Sequence, residues 1–128
     1  MQTKSLDMLL EEANKQIKRL SFNESLEMLT NENTIVIDVR EESEVINLGM
    51  IKNAIHIPRG LIEFKLSPHS SNNLNGIDQN TNLLIYCAGG YRSALAAKTL
   101  SDLGFTNVYN IGGYQEWIDN GGDIQASL

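Results

Sequence analysis

The sequence predicts an α/β domain in three layers, with a central parallel sheet flanked by helices. Three observations predict it. Short apolar or β-branched runs recur at 34–39, 54–57, 83–86 and 107–111, each of a length suited to a buried strand. Helix-patterned stretches separate these runs, and such alternation favours parallel strands with helices on both faces. The 128 residues contain no internal repeat, low-complexity tract or second-domain linker, and they suffice for a core without disulfide or metal staples.

The elements follow in order. Residues 3–20 read as an amphipathic helix with Leu6, Leu10, Ala13, Ile17 and Leu20 on one stripe and Leu9 beside it. Glu11, Glu12, Lys15 and Lys18 lie on its polar side. The spacing is that of a short coiled-coil seam, so residues 1–20 either pack on the domain formed by 21–128 or make a homodimer contact. Ser21, with Glu24 three residues on, forms a capping box. It opens a helix to about Thr30 that is expected to bury Leu26 and Leu29. Asn31-Glu32-Asn33 is a turn before the strand at 34–39. Residues 40–47 form a short polar helix ended near Gly49, and Pro58 stops the strand at 54–57. Residues 60–66 make a helical turn or more. Residues 67–81, rich in Ser, Asn, Gly and Pro, read as an exposed loop. The strand at 83–86 delivers Cys87. Residues 93–103 form a helix with Leu95, Ala96, Thr99, Leu100 and Leu103 inward, stopped at Gly104. After the strand at 107–111, Gly112-Gly113 turns into a helix burying Trp117 and Ile118, which Gly121-Gly122 ends.

Composition narrows the function. Hydrophobic residues make up 41% and charged residues 20%, as in soluble globular proteins. The formal net charge of −6 argues against a general nucleic-acid binder. No apolar run reaches membrane-span length, and the first residues carry no signal-type h-region. These points lead to the expectation of a cytoplasmic protein with its thiol reduced in bulk. A single cysteine excludes an internal disulfide framework, and with only His56 and His69 besides, no metal or other cofactor is expected.

That cysteine carries the chemistry. Cys87 stands at the carboxyl end of an apolar strand, where ligand sites of parallel sheets lie. Ala88, Gly89, Gly90, Tyr91, Arg92 and Ser93 follow, giving the spacing C-x4-R at the start of an alanine-rich helix. Backbone N–H groups at a helix N-terminus, with a nearby cation, lower a thiol pKa and hold anions. The two glycines let the chain fold tightly and adopt positive φ. The structural alternative is a small buried cysteine within a glycine-rich connection. Cysteine phosphatases use His-Cys-x5-Arg. Here Tyr86 precedes the cysteine and the loop is one residue shorter, which suits a sulfur atom better than a phosphate group. A cysteine–histidine hydrolase is poorly supported, because neither histidine has a context placing it beside Cys87.

Over residues 21–122 the chain resembles the rhodanese-like sulfurtransferases. Ile37-Asp38-Val39-Arg40-Glu41, followed by the segment from Gly49 to Pro58, is similar to the family's first signature. The run from Tyr86 to Ala94 resembles its active-site loop, and Gly112-Gly113-Tyr114-Gln115-Glu116-Trp117 its closing signature. The stretch from Pro58 to Phe64 resembles a single-domain subgroup with an extra N-terminal helix. The resemblance implies the three-layer rhodanese-like fold. It implies that Cys87 is nucleophile and sulfur carrier, with the N–H groups of residues 88–93 as its cradle. A small sulfur donor such as thiosulfate would load the sulfur, and cyanide, a thiol or a protein would accept it. A non-catalytic or regulatory binding module is the alternative. Two positions depart from the pattern: Ala88 stands where many members carry arginine, and Met50 replaces the histidine of Gly-His-Ile. Arg59 is a candidate replacement for the missing charge, with Glu63 as its partner, unless both are simply solvated. Asp38 and Arg40 are expected to make a structural ion pair or to cap loops at the sheet edge.

Overall fold

The computed structural model describes residues 2–68 and 76–127. Helix α1 (Leu6–Gln16) is capped by the Ser5 hydroxyl, which accepts from Met8 N. It is shorter than the expected 3–20: Ile17 turns to extended backbone, and Lys18–Arg19 becomes a short strand, β1. The edge of the sheet captures these residues, Leu20 N donating to Asn110 O at 3.0 Å. Helix α2 (Phe22–Met28) has the expected capping box at Ser21 and Glu24. Then come β2 (Thr34–Asp38), α3 (Glu42–Leu48), β3 (Met50–Ile51) and β4 (Ile55–His56). A 3-10 turn at Arg59–Leu61 leads into α4 (Ile62–Leu66). The chain continues with β5 (Asn82–Cys87), α5 (Tyr91–Asp102), β6 (Val108–Gly113), α6 (Tyr114–Asp119) and β7 (Ile124–Gln125).

The main sheet has five parallel strands in the order β1-β6-β5-β2-β4, and β3 and β7 form a separate antiparallel pair. The fold is thus the expected three-layer α/β arrangement. Strand β5 lies at the centre and is buried on both faces. Leu83, Ile85 and Cys87 point into a core with Ile17, Ile62, Ala97 and Leu100, from α1, α4 and α5 and their flanks. Leu84 and Tyr86 point into the opposite core with Val45, Tyr114 and Trp117, beneath α3 and α6. This two-sided burial explains why β5 reads as a continuous apolar run rather than an alternating one.

Several side chains depart from expectation. Leu26 and Leu29 are 42% and 37% exposed. The cap at Ser21 sets the phase of α2 so that Phe22, Ser25 and Met28 face inward, with Phe22 packed edge-on against Trp117 at 5.0 Å. On α1, Ala13 is buried while Leu6, Met8 and Leu9 are exposed. The helix packs on α5, where Gln16 Nε2 donates to Asp102 Oδ1 at 2.8 Å. Leu95, Thr99, Leu103 and Ile118 are only half-buried; Ser93, Ala94, Ala96, Ala97 and Leu100 make the buried face of α5. The expected loop at 67–81 lies partly outside the described residues, as does His69. Of its described part, Ile77 and Thr81 are buried rather than exposed.

Candidate active site around Cys87

The site is built by the strand-to-helix turn after β5. Cys87 is 1% exposed, whereas Ala88, Gly89 and Tyr91 are open to solvent, so the sulfur lies under a loop whose outer face is free. Gly90 is the residue before α5 and has φ 93°, a left-handed conformation that suits glycine. That turn aims main-chain donors at one atom. Gly90 N donates to Cys87 Sγ at 3.0 Å and Ser93 N at 3.4 Å. The thiol in turn donates to Ser93 Oγ at 3.4 Å. Burial works against ionisation of the thiol. The N–H groups of Ser93, Gly90 and Gly89, together with the Ser93 hydroxyl when its proton turns to the sulfur, outweigh it, so the thiol lies below its ordinary pKa.

Strand β6 supports the loop from the side. A β-bulge displaces the register between β5 and β6, so that Ile85 faces Asn110, Tyr86 faces Gly112 and Cys87 faces Gly113. At Gly113 the backbones touch: a Cβ there would stand 2.4 Å from Ala88 O. The Gly-Gly pair is therefore a packing surface for the loop. Asn110, 4% exposed, ties the turn together. Its Oδ1 accepts from Ser93 Oγ at 2.8 Å and from Gly112 N at 2.9 Å, and its Nδ2 donates to Gly90 O at 3.1 Å.

The arginines around this turn are already paired. Arg92 makes a bidentate ion pair with Glu44 of α3 at 2.7 and 2.8 Å. The Arg92 hydrogen bonds hold the Glu44 carboxyl down at a pKa of about 2. Arg19 of β1 lies over Gly112 and beside Gly90, and donates to both carboxylate oxygens of Glu116. Arg59 donates to Glu63 Oε1 and Thr99 Oγ1, each at 3.1 Å, and Thr99 lies two turns along α5 from its start. Arg59 and Glu63 thus sit together on the α4–α5 side of the molecule, each with the other as partner. Their hydrogen bonds do not run to the loop.

Behind the loop, on the other face of β5, Asp38 and Arg40 are fully buried. Asp38 Oδ1 accepts from Arg40 N and Nε, and Oδ2 accepts from Arg40 Nη2 at 2.7 Å and from the Tyr86 hydroxyl. Arg40 Nη2 also donates to Gly49 O at 2.6 Å. The guanidinium lies 5.6 and 4.3 Å from the ring centres of Tyr86 and Tyr114. Burial, then the Asp38 charge, pushes the Tyr86 phenol far up, so it stays a donor. Among the described residues no three His, Cys, Asp or Glu side chains gather as metal ligands.

Sequence reasoning placed Cys87 and its loop but missed Glu44, Arg19, Glu116 and Asn110. For Asn110 a signal existed: a polar residue at a core-facing position of an otherwise apolar strand. Glu116 lies within the closing signature, whereas Glu44 and Arg19 carry no such mark and look like ordinary surface charges until the chain folds.

The rhodanese-like domain family matches residues 21–120. The chain belongs to the rhodanese-like family. Rhodanese-like relatives include a putative mitochondrial thiosulfate sulfurtransferase of Schizosaccharomyces pombe, 34% identical over 104 residues, 77% of this chain and 72% of that protein. A tRNA uridine(34) hydroxylase of Prochlorococcus marinus (strain MIT 9215) is 34% identical over 96 residues, 72% of this chain, but the chain spans only 30% of its length. Among solved structures, a Rhodopseudomonas palustris protein of unknown function, described as a possible tyrosine phosphatase, has a TM-score of 0.85 and 35% identity, with 98% of this chain and 97% of that one covered. The Wolinella succinogenes polysulfide-sulfur transferase homodimer has a TM-score of 0.74 and 30% identity, with 91% and 83% covered.

Proposed function

We propose that this rhodanese-like protein is a sulfurtransferase that carries sulfane sulfur on Cys87. The observation that carries the reading is the convergence of main-chain N–H groups on a single buried sulfur, at 3.0 and 3.4 Å. Such a cradle stabilises a thiolate and then a persulfide anion. The Cys87 thiolate attacks the outer sulfur of a donor such as thiosulfate. A new S–S bond forms, the donor's S–S bond breaks with its electron pair, and sulfite leaves. Cyanide, a thiolate or a protein cysteine then attacks the outer sulfur of the persulfide. Thiocyanate or a new persulfide departs and the Cys87 thiolate returns. The sulfurtransferase names among the relatives support this class of reaction.

The donor's charge is met by N–H dipoles and by Arg92, which bears on the Cys87 sulfur while paired with Glu44. Ala88 offers no cation, and Arg92 and Arg19 are already paired with Glu44 and Glu116. A phosphatase reading, raised by the description of the Rhodopseudomonas neighbour, is opposed by the C-x4-R loop, one residue shorter than a phosphate cradle. The alternative of a non-catalytic binding module is opposed by the intact cysteine and arginine. The chain corresponds to about a third of the Prochlorococcus hydroxylase, so that protein's whole activity is not carried over. No described helix is long and apolar enough to cross a membrane, and a lone reduced cysteine fits a cytoplasmic setting. Exposed Leu6 and Leu9 on α1 support a homodimer contact there, which the solution mass of the Leu6→Glu, Leu9→Glu variant tests.

Intact mass after exposure to thiosulfate, a glutathione persulfide and polysulfide tests the function. The expected result is addition of one sulfur, removed by dithiothreitol and absent in Cys87→Ala. Failure to gain sulfur from every donor would overturn the reading.

A further inference from the structure

Ser93 touches the reacting sulfur, and its hydroxyl has one proton to give. Asn110 Oδ1 cannot donate, so the 2.8 Å contact between them is a hydrogen bond from Ser93 to Asn110. The orientation of the amide is set independently, because Gly112 N donates to Oδ1 and Nδ2 donates to Gly90 O. The serine proton is therefore committed away from the sulfur. What remains between Cys87 and Ser93 at 3.4 Å is a bond in which the thiol donates and the hydroxyl accepts. This pattern is complete for a thiol and incomplete for a thiolate. Once the sulfur loses its proton, Ser93 presents it with a lone pair unless the hydroxyl turns and abandons Asn110.

We infer that Asn110 is a positioning residue that controls the charge on Cys87 by holding the Ser93 hydroxyl. The inference deepens the sulfur-carrier reading and rests on it. With the Ser93 hydroxyl donating to Asn110, the resting sulfur is a thiol held by a continuous chain, Cys87 to Ser93 to Asn110. When a donor arrives or an acceptor removes the sulfane sulfur, rotation of one hydroxyl supplies the anion with a further donor beside Gly90 N and Ser93 N. Asn110 and the sulfur compete for that one proton.

Charged and titratable groups on the neighbouring elements are arranged so that this competition can be read. Arg92 of α5 is paired with Glu44 of α3 and also interacts with the Cys87 sulfur, in every variant alike, and Arg19 of β1, beside Gly90, is paired with Glu116 of α6. On the α4 side Arg59 is paired with Glu63, and the Tyr86 phenol points to the opposite face, onto Asp38.

The test is a double-mutant cycle on thiol ionisation. Cys87 is the only cysteine in the chain, so the rate of iodoacetamide alkylation against pH reports it alone. The assay contains no sulfur donor, so its outcome is independent of whether persulfide forms. In the Ser93 background, Asn110→Ala is expected to make the thiol roughly three- to tenfold more acidic, the effect of one freed hydrogen bond. In the Ser93→Ala background the same substitution is expected to lack that gain. An equal shift in both backgrounds would mean that Asn110 only braces the loop, and would overturn the inference. So would a shift towards a less acidic thiol that depends on Ser93. Asn110→Asp keeps size and acceptor and guards against misfolding. Its carboxylate should hold the hydroxyl more tightly, so the Ser93-dependent part of its shift should have the opposite sign; no Ser93-dependent part would again refute the proposal.

Discussion

Tyr86 and Cys87 are neighbours on one strand, yet their side chains enter opposite cores and meet opposite electrostatic solutions. On the Tyr86 side, a fully buried carboxylate is held by a full positive charge, with Arg40 donating to Asp38 from its backbone and its guanidinium. On the Cys87 side, a buried sulfur is held by main-chain dipoles and one hydroxyl, and the guanidinium that also bears on it, Arg92, is shared with Glu44. The difference teaches why one half is scaffold and the other can react. A buried carboxylate with a guanidinium locked on it does not move. A sulfur whose pKa is lowered by main-chain N–H groups can change its protonation state while those donors stay in place.

The largest effect should come from breaking the scaffold half. Arg40→Met leaves Asp38 as a buried, uncompensated carboxylate and should lower unfolding free energy by about 3–5 kcal/mol. Urea titration reads this loss; a change within experimental scatter would mean that the Asp38 charge is not held by Arg40. Next is the surface on which the reactive half rests. Gly113→Ala places a methyl group 2.4 Å from Ala88 O, so the loop must move. A loss of about 1–3 kcal/mol is expected, together with a less acidic Cys87 thiol and slower persulfide formation. Unchanged thiol acidity in this variant would show that the cradle does not depend on β6. The smallest effect lies at the pair between the two halves. The folded-state pKa of Glu44 is depressed to about 2 from an ordinary 4.5, so its contribution to stability is whole above the higher value and is lost as pH falls towards the lower one. Both side chains are partly exposed, so Glu44→Gln should cost about 1 kcal/mol or less at neutral pH. It should also flatten the stability profile between pH 4.5 and 2; an unchanged acid limb would remove Arg92 as the partner that matters.

Much of the fold was legible because the signals were local. The capping box at Ser21 and Glu24, the buried run of β5 and the stop at Gly49 each depend on a few consecutive residues. Misreadings arose where a distant element took over. Periodicity carried α1 on to Leu20, but the sheet edge took Lys18 and Arg19 as a strand. Leu26 and Leu29 fitted an apolar stripe, yet the stripe that faces the sheet is Phe22, Ser25 and Met28. Strands β3 and β7 have two residues each and pair across most of the chain, so they leave no periodic trace.

The sequence by itself determined the layers and the strand that carries Cys87, because a continuous apolar run, a glycine pair and a helical pattern are local signals. Only the tertiary structure decided the charge and hydrogen-bond state of the site. Glu44, Glu116 and Asn110 reach the loop from other elements, and the partner that neutralises an arginine or takes a serine proton is set by distance in space, which chain spacing does not encode.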